Sequence, residues 1–189
     1  FDPDEINELV AEGKWTSYGQ LELIKTQTFS SSTAVFSALE QDTYNIHLIT
    51  FTDVHFSGQS EFDYQLSSDG GSSYLTGYQF ANQRGNESGS FDERKSTSQD
   101  GARLCGDIDN GAHSLANGYM YLYNTGDNTK YTFSTSHMTF TDNADKLNFE
   151  FGGAVRATKE RHNAIKFGQG VGATALTSAT ISLYGIRSY

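Results

Sequence analysis

Three tyrosines at alternate positions, Tyr119, Tyr121 and Tyr123, form the pattern in this sequence that most favours a binding function. Side chains two residues apart in a β-strand point to the same face, so the three rings form one stripe. Met120 and Leu122 then lie on the opposite face, as a natural core pair. Tyrosine rings stack on sugar rings and also suit protein interfaces. The stripe therefore indicates a contact with a glycan or with another subunit, and both alternatives stay open.

The residue types that bind metals do not fall into a recognised spacing. Five histidines are present: His47, His55, His113, His137 and His162. A zinc site needs three or four converging nitrogen or sulfur ligands, and Cys105 is the one cysteine. The run Asp107-Ile108-Asp109-Asn110-Gly111 resembles the start of a calcium loop, but its glycine comes one position early, and Asn117 stands where the loop needs Glu. We expect an Asx-rich turn there, no metal site and no cofactor; binding of a cation by this run is left open.

Catalytic motifs do not stand out either. The Gly-x-Ser-x-Gly motif is absent, and the glycines at 168, 170 and 172 lack the spacing and the following helix of a nucleotide-binding loop. Among 23 Asp and Glu residues, no spacing selects two as the acid and nucleophile of a glycosidase. The sequence therefore predicts a protein that is not an enzyme.

Charge and composition narrow the class of partner. The net charge is −10, which disfavours nucleic-acid phosphates as a partner, because these require a basic surface. A single cysteine excludes a disulfide within the chain. We find no signal peptide and no apolar run of the roughly 18 residues that a membrane span needs. These features predict assembly in a cytoplasm, without a membrane or nucleic-acid partner.

The hydrophobic pattern predicts an all-β fold. Aromatic residues, Ser, Thr and 19 glycines are abundant, and there is one proline. Strands are predicted at 44–51, 60–67, 73–80, 118–124, 130–139, 146–151, 164–168 and 177–187. Turn residues at 69–71 and 126–128 predict two hairpins. The polar stretch 81–109 is predicted to be an extended surface excursion.

The first dozen residues carry the only convincing helix signal. Asp2 suits an N-cap, Pro3 the first helical position, and Gly13 the end of the helix. Three apolar residues would share one face of this helix: Ile6, Leu9 and Val10. So short a helix needs a partner surface, either its own sandwich or another subunit.

Together these patterns divide the chain into two parts. Residues 1–43 are predicted to form a helix and an attachment or oligomerisation arm, and 44–189 an antiparallel β-sandwich. Trp15 follows the helix and is assigned, with its apolar face, to binding a partner. No internal repeat is visible.

Four segments resemble those of a known group of proteins. They are Tyr-x-Ile-x-Leu from Tyr44, Ser-Ser-Asp-Gly-Gly-Ser-Ser-Tyr at 67–74, Gly-Tyr-Met-Tyr-Leu-Tyr-Asn at 118–124, and Ile-Ser-Leu-Tyr-Gly-Ile at 181–186. In this order they are similar to jelly-roll-like virion structural proteins of tailed bacteriophages, of the tail-fibre or capsid-decoration type. The resemblance covers roughly three-quarters of the chain and brings no catalytic residues with it.

The resemblance implies a jelly-roll sandwich on the outside of a phage particle, assembled in the host cytoplasm. Its partners would be other virion proteins of the capsid or tail, and copies of itself in a trimer or another closed oligomer. The alternative is a carbohydrate-binding module that recognises a host surface glycan. Buried tyrosines in subunit contacts would favour the first function, and exposed tyrosines in a groove the second.

Overall fold

Alternation of apolar and polar residues along most of the chain produces strands rather than helices. A computed structural model describes residues 2, 4–5, 7–8, 21–168 and 174–187. The described residues form twelve strands: β1 (Leu21–Phe29), β2 (Thr33–Phe36), β3 (Ile46–Phe56), β4 (Ser60–Ser67), β5 (Tyr78–Asn86), β6 (Phe91–Gln99), β7 (Ala102–Ile108), β8 (Ala116–Tyr123), β9 (Thr132–Thr141), β10 (Leu147–Arg156), β11 (Ala164–Gly168) and β12 (Leu176–Ile186).

The strands belong to two antiparallel sheets. The large sheet has eight strands in the order β1-β12-β3-β8-β9-β10-β5-β6, and the small sheet has the order β2-β11-β4-β7. The small sheet covers one face of the large sheet, with β7 packed on β9 and β10. The prediction of an all-β protein built from packed antiparallel sheets is therefore confirmed.

Aromatic rings fill the core between the sheets. Phe167 of β11 lies at its centre, with its ring centroid 5.1 Å from that of Phe51 and 6.1 Å from that of Phe62. Phe36 and Tyr64 each lie 6.4 Å away. All five side chains are almost completely buried. Such a cluster joins both sheets, because Phe51 belongs to β3 and the other four to β2, β4 and β11.

In the C-terminal strand β12, the side chains point to the two faces of the sheet as its sequence predicts. Ile181 and Leu183 are fully buried, and Gly185 lies on the same side. The ring of Tyr44 packs directly on Gly185, where any Cβ atom would overlap the ring. The Tyr44 hydroxyl also donates a 2.6 Å hydrogen bond to Glu22 of β1. The close backbone approach expected of this glycine is thus confirmed.

Two predictions about the middle of the chain are wrong. The stretch 81–109 is not a surface excursion, because it contains most of β5 and all of β6 and β7. Asn82 and Arg84 of β5 are buried, and Asn82 donates a hydrogen bond to the Arg103 carbonyl of β7, whereas β6 is an exposed edge strand. Low hydrophobicity therefore did not mean that the whole stretch is an exposed loop. Residues 69–71 do form a turn, and Gly70 and Gly71 have positive φ angles. However, the turn leads from β4 in the small sheet to β5 in the large sheet, so it is a crossover and not a hairpin.

The second predicted hairpin is confirmed. Strands β8 and β9 pair in antiparallel register, with Tyr123 opposite Phe133. The loop between them contains Gly126, as predicted. This loop follows directly after Tyr123, the last residue of the tyrosine stripe.

The N-terminal part of the chain enters the sandwich earlier than residue 44. Strands β1 and β2 precede that position, and they pair with β12 and β11 respectively. Asp2 accepts hydrogen bonds from the backbone N–H of Asp4 (2.8 Å) and of Glu5 (2.9 Å), as an N-cap does. The predicted helix lies largely outside the described residues and stays a prediction. Among the described residues, no helix is long and apolar enough to span a membrane.

Candidate binding face

The face of the large sheet that points away from the small sheet carries the predicted tyrosine stripe. Tyr119, Tyr121 and Tyr123 all lie on this outer face, while Met120 and Leu122 are fully buried beneath it. The predicted facing of β8 is therefore confirmed. The role of the three tyrosines in glycan or subunit contact stays a prediction.

Neighbouring strands extend the stripe into rows that cross the sheet. Tyr119 lies opposite His137 of β9, which lies opposite Phe151 of β10. In the next row, Tyr121 lies opposite Thr135, and Thr135 opposite Gly153. The stripe is therefore one edge of a wider aromatic surface, which we call the outer face.

The rings on the outer face are partly exposed and in contact with one another. Tyr119 is 43% exposed, and Phe133 and Phe151 are each 46% exposed. The rings of Tyr121 and Tyr123 stack at 6.2 Å, while His137 meets Tyr119 edge-on at 6.0 Å. Mutual contact restricts the rotamers of these rings, which lowers the entropy lost when a partner binds.

The centre of the outer face carries no formal charge. Strands β8 and β9 contain no Asp, Glu, Lys or Arg. In β10 the two charged residues, Glu150 and Arg156, lie on the inner side by strand parity, and Glu150 is fully buried. On a chain with a net charge of −10, three adjacent strands thus present only neutral groups and one histidine.

Two shallow depressions lie side by side on this face. The first, of about 480 Å³, is lined by Tyr119, Tyr121, Tyr123, Thr135, Ser136, His137, Phe151 and Gly152. The second, of about 770 Å³, is lined by Gln79, Phe80, Ala81, Lys95, Ser96, Thr97, Phe133, Ser134, Gly153, Ala154 and Val155. Thr135 of the first depression pairs with Gly153 of the second. We call the two neighbouring depressions together the trough.

The remaining predicted contact residues cannot be placed on this surface. Ile6, Leu9, Val10 and Trp15 lie outside the residues that the structure describes. Their assignment to a partner-binding arm stays a prediction.

Two carboxylates, Glu150 and Asp63, are buried in a layer of polar contacts between the sheets. Glu150 accepts hydrogen bonds from Asn82 Nδ2 (2.8 Å) and from the backbone N–H of Gly106 (3.1 Å). Burial raises the pKa of Glu150. Nearby, Arg103 forms ion pairs with Glu61 and with Asp63, the latter at 3.6 Å. We call this set the ionic layer. Its contacts connect β5 and β10 of the large sheet to β7 of the small sheet, and β7 to β4.

Near the end of β10, three groups form a chain of contacts: a carboxylate, an imidazole and a hydroxyl. Glu160 lies 3.6 Å from His162 Nε2, and His162 Nδ1 lies 2.9 Å from Thr132 Oγ1. The order of these three groups resembles that of a hydrolase triad. However, Thr132 is only 1% exposed, so its hydroxyl is not accessible to a substrate. The arrangement as it stands supports the fold rather than nucleophilic catalysis.

The turn that resembles a calcium loop is stabilised by its own side chains. Asp109 accepts hydrogen bonds from the Gly111 N–H (3.0 Å) and Ser114 Oγ (2.9 Å), which is an Asx turn as predicted. Asp107 is held by ion pairs with Arg84 and Arg94. Over the described part of the chain, no three His, Cys, Asp or Glu side chains come together as a metal site would require.

Two buried histidines hold the loop between β8 and β9. His47 lies 2.7 Å from the Leu39 carbonyl through Nε2 and 3.4 Å from Thr125 Oγ1 through Nδ1. His162 donates its backbone N–H to the Thr125 carbonyl at 2.9 Å. Both imidazoles are completely buried, and burial lowers the pKa of each, to about 4 for His47.

We expect acid to weaken the fold through His47. Its folded pKa of about 4 lies below the ordinary value of 6.5, so the unfolded chain binds the proton more readily between these values. Stability is therefore retained above pH 6.5 and lost as the pH falls through this window, by up to about 3 kcal/mol. Urea unfolding at several pH values measures the loss. His47→Gln should flatten the slope in this window, and an unchanged slope would contradict the assignment.

Sequence reasoning missed most of the outer face. Phe149 and Phe151 alternate with Asn148 and Glu150, and the usual rule would place the phenylalanines inside. The structure places Asn148 and Glu150 inside, in polar contacts, and turns Phe151 outward. The lack of charged residues in β8 and β9 is the sequence feature that could have indicated this exposed surface.

No protein-family model matches the sequence, and no curated protein matches it.

Proposed function

We propose that the chain is a non-enzymatic structural protein on the exterior of a bacteriophage virion, in the capsid-decoration or tail-appendage position. The observation that carries the proposal is the neutral, aromatic outer face of the large sheet. A face of this kind is suited to binding, since exposed apolar patches mark interaction sites. Two carboxylates of the ionic layer, Glu150 and Asp63, are buried and held in polar contacts.

The finer features of the proposal come from the sequence resemblance. They are a jelly-roll type of sandwich, an N-terminal arm that reaches a neighbouring virion protein, and a closed homo-oligomer. Strands β1 and β2 already belong to the two sheets, so the arm in this proposal is restricted to residues 1–20. Removing residues 1–43 would delete two strands and would test folding instead of attachment.

Light scattering and co-sedimentation test the proposal. The full chain and a variant lacking residues 1–20 are mixed with virion particles of the phage that encodes the chain. We expect the full chain to form a defined oligomer and to sediment with the particles, and the shortened chain to lose sedimentation. If the full chain and the shortened chain are both monomers that do not sediment with the particles, the proposal is wrong.

A charge placed on the outer face gives a second, independent result. Tyr119→Asp introduces a carboxylate among neutral residues, where a partner would have to desolvate it. We expect at least about a tenfold loss of particle or subunit binding, which corresponds to about 1.4 kcal/mol. His113→Asp adds the same carboxylate in an exposed loop and serves as the control. Equal binding by both variants would exclude the outer face from the contact.

A second function is favoured by a specific observation. The tyrosines lie partly exposed along a depression, which is the arrangement that favours a carbohydrate-binding module. A virion protein that contacts its host through a glycan would combine both functions.

A further inference from the structure

We propose that the trough binds a neutral, linear oligosaccharide that runs across the strands from Tyr121 toward Lys95. This inference rests on the proposed function, because it names what the outer face contacts. Three features of the trough favour this ligand: its shape, its chemical groups and its charge.

The floor of the trough consists of three small residues in register on adjacent strands, with larger side chains at its two ends. Thr135 pairs with Gly153, Gly153 with Ala81, and Ala81 with Lys95. Tyr121 lies opposite Thr135 at the other end. Five strands at about 4.8 Å spacing give a length of roughly 19 Å. The row from Tyr121 to Lys95 is therefore long and one residue wide, a shape that suits an extended chain.

Larger side chains form the walls on either side of this floor. Phe133 and Val155 lie opposite each other in the row on one side, and His137 and Phe151 do so in the row on the other. Gln79 and Gln83 continue the two rows on β5, opposite Val155 and Phe151. Apolar surfaces therefore line the trough, with amide groups at its edges. Ligand sites have this composition, with few polar groups that fix orientation.

The chemical groups match those of a sugar chain. A sugar ring offers C–H surfaces for an aromatic ring and hydroxyl groups for hydrogen bonds. The hydroxyl groups of Tyr119 and Tyr121 make no hydrogen bond with another described residue, while Tyr123 reaches Thr135 at 3.4 Å. Each phenol can donate one hydrogen bond and also accept. Two tyrosines therefore retain unused hydrogen-bonding capacity at one end of the trough.

Charge selects a neutral saccharide over an acidic one. Among the described residues that line the trough, Lys95 is the one cation, and it is paired with Glu93 at 2.9 Å. An anionic sugar would thus find no unpaired cation among these residues, and it would approach a chain with a net charge of −10. Neither feature weakens the binding of a neutral sugar.

Calorimetric titration of the full chain tests this inference. The neutral probes are hexasaccharides of glucose, galactose and mannose with α or β linkages, and the acidic probe is a hexamer of uronic acids. We expect binding of at least one neutral hexamer and no measurable binding of the uronate hexamer. High and low salt should give the same affinity, since no ion pair forms.

Three variants locate the binding site. Tyr121→Ala removes an aromatic surface, and Ala81→Glu blocks the floor from an exposed position, so neither disturbs the core. We expect each to weaken binding by about tenfold or more, in line with the loss of an aromatic contact. Phe91→Ala removes an exposed ring outside the trough and should bind as the unaltered chain does.

The possible results separate this inference from the proposed function. Failure of every neutral hexamer, or equal loss in Phe91→Ala, would overturn the oligosaccharide site. A homodimer that Tyr121→Ala dissociates would identify a second copy of the chain as the occupant, and would also overturn it. In each case, co-sedimentation with virions would still test the proposed function by itself.

Discussion

Replacing Arg103 with methionine is expected to lower the free energy of unfolding by about 3–5 kcal/mol, because it removes one partner of a buried ion pair. The guanidinium group lies beside Asp63, which is 1% exposed, and pairs with Glu61. It also lies 5.5 Å from the centre of the Phe80 ring. Methionine keeps much of the length of the side chain but supplies no charge. A loss of this size is a large part of the about 5–15 kcal/mol that stabilises a typical domain.

Guanidinium chloride unfolding, followed by circular dichroism, measures this loss. Lys95→Met is the matched control, because it removes the cation of an exposed pair with Glu93. Exposed pairs contribute about 0–1 kcal/mol, so the control should unfold close to the unaltered chain. Equal midpoints for the two variants would mean that the ionic layer does not depend on Arg103.

The second large effect is expected at Phe167. Phe167→Ala removes a ring that contacts four other aromatic side chains and joins the two sheets. We expect a loss of about 3–5 kcal/mol, from lost burial and from the cavity that remains. Thermal and denaturant unfolding measure it. Phe151→Ala, on the exposed outer face, should cost far less, and a comparable cost would contradict the placement of the core.

Local pattern predicted best the strands in which apolar residues lie inside. The bounds of β4 and β11 match the predicted ranges 60–67 and 164–168. The rule of apolar residues inside fails in β5 and β10, where polar and charged side chains are buried because they pair with one another. The pairs are Asn82 with Glu150 and Arg84 with Asn148. Pairs between distant segments, such as Asn82 with Glu150, leave no periodic signal in either segment.

The tyrosine stripe could be predicted, but the trough could not. Strand parity alone places Tyr119, Tyr121 and Tyr123 on one face. The trough depends on which residues of β9, β10 and β5 lie opposite one another, and this register is set by contacts across the whole sheet. In the same way, the turn at 69–71 is a local feature, whereas the sheets that it connects are decided by long-range packing.

The position of β12 has a consequence for biosynthesis. This strand lies between β1 and β3, so two strands made early pair with one made more than 100 residues later. During translation, the backbone edges of β1 and β3 that pair with β12 stay exposed until β12 leaves the ribosome. Such non-local pairing slows folding and exposes strands to aggregation. We therefore expect chains stalled before residue 176 to be captured by chaperones, and release of β12 to complete the large sheet.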